Sequence, residues 1–336
     1  MDEGVQQILT EPLSLAIFAG IGIVMLCSVI SNFVILVTIH VDKSMQSVGY
    51  MFIGSKTVVD LLTIVLVVPL AAVDDLLSYW PFSNALCDLW LASDITLVTV
   101  PIFTLLALSI DRYIHMKYAT FYLRFVTRKV VILANVLAWI LSTGVFLVPW
   151  TADLHRVGLR MDTQNRTLCI AEFPPSLSFT FSALSFVVPS VCMFVVYRRI
   201  YNYSRRTTKE FELIFKSLQV NYPELDPKIP FQSECKATNT IGIIMTIFVV
   251  CWAPFFVAIM ARAIYPGYCC ARWIFKAVHW LGYCNCVLCP LIYVSTNARF
   301  RAAFAKTLGC INEETYKRKV SVEFEKAKKR RRESKP

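Results

Sequence analysis

Charge is what this sequence has least of. Asp, Glu, Lys and Arg make up 17% of its 336 residues, against 56% hydrophobic, and the mean hydropathy is +0.56. No soluble fold hides apolar length of this kind. It is gathered into long runs separated by short charged ones, the pattern of a polytopic membrane protein. Internal repeats are missing too, which withdraws support from the inverted-repeat architecture of many transporters. No nucleophile, base and orienting group form a set, so an enzyme is not expected, nor is a cofactor or a metal site. A cleavable leader is not expected either. The first dozen residues are acidic and the first apolar run is too long for a signal core, so that run reads as an uncleaved signal anchor.

What is present divides into seven apolar spans, at about 13–40, 47–75, 86–114, 129–150, 177–203, 235–263 and 272–295. An odd number places the two termini on opposite sides. The segments after spans one, three, five and seven, counted with the residues at the span ends, carry 27 of the 34 Lys and Arg, so they are cytoplasmic and the N-terminus is outside. The expectation is an all-α membrane protein: a seven-transmembrane helix bundle in the plasma membrane. An extracellular segment at 1–12 precedes the bundle at 13–296. An amphipathic membrane-surface helix follows at 297–309, with Phe300, Ala303, Phe304 and Leu308 at helical spacing, and then a basic cytoplasmic tail at 310–336. The net charge of +11 needs no nucleic-acid partner. The run KAKKRRR near the end is open to contact with anionic lipid or to plain solvation. Asn165-Arg166-Thr167 is a glycosylation sequon in an outer loop, whereas Asn202 heads one on the inner side. Cys310 is a candidate for palmitoylation or an unmodified thiol beside the membrane.

Most of the twelve cysteines lie in apolar runs, where cysteine is a small hydrophobe. Cys87, Cys169, Cys269 and Cys270 fall in or beside outer loops and are open to oxidation. Cys269 and Cys270 are adjacent, so a bridge between those two would be strained.

Charges inside spans are rare and usually functional. Asp94 and Arg112 are 18 residues apart, five whole turns and about 27 Å of helix, so they share one face near opposite sides of the membrane. Asp94 is suited to pairing with a protonated amine, or else to an internal ion pair. Trp252, Phe255 and Phe256 offer aromatic faces that hold a ring and favour a cation, or simply pack. His279 either lines the upper pocket, with Trp90 and Trp280, or is a satisfied helix-end histidine. Ser182 and Ser185 share a face of span five, with Ser178 a turn above, either to meet a ligand or to bond back to their own helix. Lys56 stands one turn before Asp60, either facing it or snorkelling to the inner surface.

Asp111-Arg112-Tyr113 closes span three. Asn32, Asp60, Trp139, Pro189, Tyr197, the run CWAP at 251–254, Pro290 and Tyr293 stand in order along the other spans. This set resembles a rhodopsin-type (class A) G-protein-coupled receptor. Asp94 seven residues after Cys87, Trp252-Ala253-Pro254-Phe255-Phe256 and Trp280-Leu281-Gly282-Tyr283-Cys284-Asn285 are similar to the biogenic amine group. The stretch 79–94 is similar to muscarinic and histamine receptors, although Ile95 and Phe255-Phe256 depart from the acetylcholine pattern.

The resemblance implies a receptor for a small protonated amine that signals to a heterotrimeric G protein, with arrestin, a receptor kinase and membrane lipid as further partners. It implies a ligand site of Asp94, Val98, Thr99, Ser182, Ser185, Trp252, Phe255, Phe256, His279 and Tyr283. It implies a switch of Asp111, Arg112, Tyr113, Tyr197, Glu234, Pro290 and Tyr293, in which Glu234 locks Arg112, and a Cys87–Cys169 disulfide. At the bundle centre the family's sodium-binding surroundings of Asp60 are replaced by Pro101, Cys286 and Cys289, with Asn285 kept. Lys56 is expected to supply the positive charge there, making agonist affinity insensitive to sodium. The alternatives are a constitutively active or orphan-like receptor of this class with a peptide or lipid ligand and a structural Asp94, or a transporter.

Overall fold

The computed structural model describes residues 12–42, 45–46, 48–151, 156–161, 167–172, 174–221, 230–265, 272–296, 298–310, 312 and 314–315. Asn165, Cys269, Cys270, the first eleven residues and most of the basic tail lie outside these.

Seven helices among them are long and apolar enough to cross a membrane. Span one is α1, Pro12–Val41, and span two is α2, Val48–Leu77. Span three is α3, Asn84–Lys117, followed by a short inner helix α4, Ala119–Phe125, and by span four, α5, Arg128–Thr151. An outer hairpin comes next, with β1 (Arg156–Met161) antiparallel to β2 (Thr167–Glu172). Span five, α6, runs through Pro175–Ser182, Ala183–Val187 and Val188–Asn221. Span six is α7, Pro230–Ile264, and span seven is α8, Arg272–Tyr283, continued as α9, Asn285–Thr296. The short α10, Ala298–Thr307, folds back so that Phe300 and Ala303 are buried, with Phe300 5.5 Å from the Tyr293 ring.

Helix α3 is the axis, packed against α2, α5 and α6. Leu97, Val100, Ile102, Leu105 and Leu108 are buried along it, whereas Ile23, Phe33, Ile132, Ile140, Val191 and Phe194 on the outer helices stay exposed. In water such a surface would aggregate; in a bilayer it faces lipid.

Prolines shape three spans. Pro69 and Pro189 each follow a π turn, at Thr63–Val67 and Ala183–Val187. A proline lacks the N–H and its ring crowds the carbonyl four residues back, and one extra residue per turn relieves that crowding. The indole N–H of Trp90 donates to the Val67 carbonyl at 3.2 Å, taking up an acceptor at the end of the first bulge. Pro290 acts differently, because it leaves the Cys286 carbonyl without a helical donor. Asn32 Nδ2 (2.9 Å) and Ser28 Oγ (3.2 Å) donate to it from α1, tying the first span to the last.

The hairpin is fastened at two places, to the outer end of α3 and to the loop that leads into it. Cys169 of β2 is disulfide-bonded to Cys87. Trp80, 1% exposed, donates its backbone N–H to Thr167 O at 2.7 Å, and Thr167 Oγ1 donates back to Trp80 O at 2.9 Å. Cys87→Ser removes the covalent tie at an expected cost of about 2–4 kcal/mol. Surface delivery measured by cell-surface labelling should fall several-fold, and labelling equal to wild type would mean the second fastening suffices.

Candidate functional site

The outer site is built by α3, α6, α7 and α8. Asp94, 6% exposed, projects from α3 and meets two groups of α8. The Tyr283 hydroxyl donates to Oδ1 at 3.0 Å, and Nε2 of His279 lies 3.1 Å from Oδ2. The imidazole nitrogen is close enough to pair electrostatically but is not aligned as a hydrogen bond. Residues 279 and 283 are one turn apart, so one face of α8 presents both to the acid.

Aromatic rings close round this triad. Phe255 stacks on His279 at 4.6 Å and meets Trp252 edge-on at 5.6 Å. Trp252 is also edge-on to Tyr283 at 6.1 Å. Its six-membered ring fits because residue 282 is glycine, where a Cβ would lie 2.7 Å from it. Phe256, fully buried, stacks on Phe186 at 4.4 Å and faces Phe181 at 5.9 Å. Cation-binding faces and a carboxylate thus converge, a combination that holds an ammonium with an attached ring.

Other candidates are sorted differently. Val98 and Thr99 are buried on α3, but Thr99 Oγ1 donates to the Ile95 carbonyl (2.6 Å) and is spent on its own helix. Ser185 is spent likewise on Phe181 O (2.6 Å). Ser182, at the edge of the π turn, is fully buried and its hydroxyl has no partner among the described residues. The two serines therefore share a helix but not a state. Trp90 stacks on Trp80 at 5.0 Å between α2 and α3. The Trp280 indole N–H is donated to Asp75 Oδ2 (2.6 Å), and Lys276 pairs with the other oxygen, Oδ1, at 2.7 Å. Both tryptophans thus have their N–H committed to α2. Phe186, Phe275, Asp75 and Lys276 were not singled out from the sequence; Phe275, one turn before His279, is the one that helical spacing could have revealed.

At the bundle centre Lys56 is 2% exposed and does not reach the surface. Its Nζ donates to Asp60 Oδ2 (2.7 Å) and Oδ1 (3.0 Å), and to Asn285 Oδ1 (3.1 Å) at the start of α9. All three residues are buried, so the charges are matched inside the protein.

At the inner end, Arg112 donates through Nε (2.9 Å) and Nη2 (2.6 Å) to Asp111 Oδ2, and Tyr122 of α4 donates to Oδ1 at 3.0 Å. The guanidinium lies against Gly49 of α2, where a Cβ would run into it. Tyr122 and Gly49 are partners that no sequence motif announced. Tyr113 turns away from Arg112 and accepts from Lys117 at 3.0 Å. The Tyr197 ring rests on Gly242 of α7, while Pro290 and Tyr293 are buried in α9. Glu234 lies in the first turns of α7, but its side chain is outside the described residues, so Asp111 is the carboxylate described at Arg112.

This architecture agrees with a profile described as "7 transmembrane receptor (rhodopsin family)", which matches residues 31–293. The chain belongs to the rhodopsin family of seven-transmembrane receptors. The receptor is 32% identical over 327 residues to Dopamine receptor 1 of Drosophila melanogaster, covering 89% of this chain and 64% of that protein. It is 29% identical to the Alpha-1A adrenergic receptor of Oryzias latipes (86% and 66% covered) and 28% to that of Homo sapiens (88% and 68%). It therefore spans about two thirds of the length of these relatives.

Proposed function

We propose that this receptor is a multi-pass plasma-membrane protein activated by a small protonated amine bound at Asp94, and that it signals to a heterotrimeric G protein through its inner end. The observation that carries this reading is the buried Asp94 carboxylate, held in position by Tyr283, whose ring meets Trp252 within the aromatic cluster. The similarity to dopamine and adrenergic receptors supports the same class of ligand. Asp111, Arg112, Tyr197, Glu234 and Tyr293 form the transmitting end, where movement of α7 opens a cleft for the G protein. Arrestin and a receptor kinase act on the same surface. Asn165 carries glycan outside, and Cys310, exposed after α10, carries a lipid anchor.

The test is an amine panel including dopamine and noradrenaline, read as G-protein activation in cells expressing the full chain. A hydrogen bond to a charged group contributes about 1.5–3 kcal/mol. Asp94→Asn should therefore lower potency about 10- to 100-fold at equal surface expression. Equal activation of both proteins would reassign Asp94 to a structural pair with His279 and Tyr283 and point to a non-amine ligand.

A further inference from the structure

His279 stands where a ligand's ammonium would have to stand. Asp94 offers two oxygens: Oδ1 is taken by the Tyr283 hydroxyl, and Oδ2 faces His279 Nε2 at 3.1 Å. The imidazole is kept in place by rings, with Phe255 and Tyr283 each at 4.6 Å, Trp252 at 6.2 Å and Phe275 at 6.4 Å. What joins it to the acid is charge proximity without an aligned hydrogen bond, so a better-placed cation can displace it.

The other charged groups around it are engaged elsewhere. Asp75 of α2 is held by Lys276 (2.7 Å) and by the Trp280 indole (2.6 Å). Arg262 of α7 lies over the outer face of Phe275 at 5.1 Å. Among the described residues, the other titratable group facing it is the Tyr283 hydroxyl of its own helix, already donated to Asp94. Asp94 is thus the acid that the imidazole meets.

We infer that His279 is a specificity-determining residue, a tethered competitor for Asp94 that amine ligands must displace, and that its protonation lowers amine potency. The inference rests on the amine reading above. A charged imidazole beside Asp94 neutralises the carboxylate, whereas a neutral one leaves it to the ligand. Histidine changes charge between about pH 5 and 8, and alkylamines of dopamine's kind stay protonated throughout, as lysine does. The device also selects for shape. A ligand that moves the imidazole aside vacates a slot between Phe255 and Tyr283, and an aryl group fills it better than a methyl group does.

One measurement on the full chain tests this. In cells at matched surface expression, dopamine potency should fall about fivefold between extracellular pH 7.5 and 6.0. His279→Phe keeps the stacking and removes the charge, and His279→Gln keeps a donor without titrating. Both should be flat over that range, with His279→Phe at least as sensitive as wild type at pH 7.5. A flat wild type, or a slope that survives in both variants, overturns the inference whether or not Asp94 proves essential. Indifference of activation to Asp94→Asn is the separate result that removes the amine reading. If no amine activates the protein, the amine reading falls and this inference falls with it.

Discussion

Lys56→Met should leave little receptor at the cell surface. The Lys56 ammonium lies 2.7 and 3.0 Å from the two oxygens of Asp60 and 3.1 Å from Asn285, in a region where none of the three reaches solvent. All three are buried, so an Asp60 left alone keeps its desolvation penalty and loses the attraction that offset it. Breaking one side of such a pair costs about 3–5 kcal/mol, whereas replacing both partners by apolar groups of similar volume is often neutral. The double variant Lys56→Met with Asp60→Leu should therefore recover most of the surface delivery that the single variant loses, as read by surface labelling and by the melting temperature of purified protein. Equal loss in single and double variants would show that the pair is not a matched unit. The tethered ammonium already occupies the carboxylate, so agonist affinity in the unmodified receptor should not change when sodium replaces a bulky organic cation. A strong sodium dependence would mean that Lys56 vacates Asp60 in the resting state.

Gly49→Val should unseat Arg112. A Cβ at residue 49 would occupy the volume of the guanidinium, whose Nη2 is the same atom that donates to Asp111 at 2.6 Å. Either the arginine leaves, giving up two hydrogen bonds between charged groups at about 1.5–3 kcal/mol each, or α2 shifts. If Arg112 holds the inner face closed, the first outcome raises basal G-protein activation several-fold at matched expression, and Gly49→Ala does so more weakly. Basal activity and delivery unchanged in Gly49→Val would show that the seat is unimportant.

Much of this was readable from residue order because the signals are local. Seven spans follow from apolar length, and their orientation from where Lys and Arg fall. Lys56 and Asp60 meet because residues four apart share a helix face. The π turns were not readable in this way. A one-residue bulge leaves the apolar average of a 30-residue span unchanged, and its sole trace is a proline that other helices carry without bulging, as Pro254 does in α7. The contact of His279 with Asp94 joins residues far apart in sequence, and no periodicity links them. The states of Ser182 and Ser185 differ through a backbone carbonyl, Phe181 O, that any residue would supply. Arg112 resting on Gly49 is a case of space left open, and an empty volume leaves no mark on composition.

The two fastenings of β2 carry a last consequence. One crosslink, at Cys87–Cys169, would act as a swivel about which the hairpin could turn. The reciprocal bonds between Trp80 and Thr167 add a second anchor on the same strand and turn the swivel into a fixed plate. The strand's tilt is then inherited from the outer end of the third helix together with the loop before it, and whatever reorients that pair on activation also redraws the entrance seen from outside.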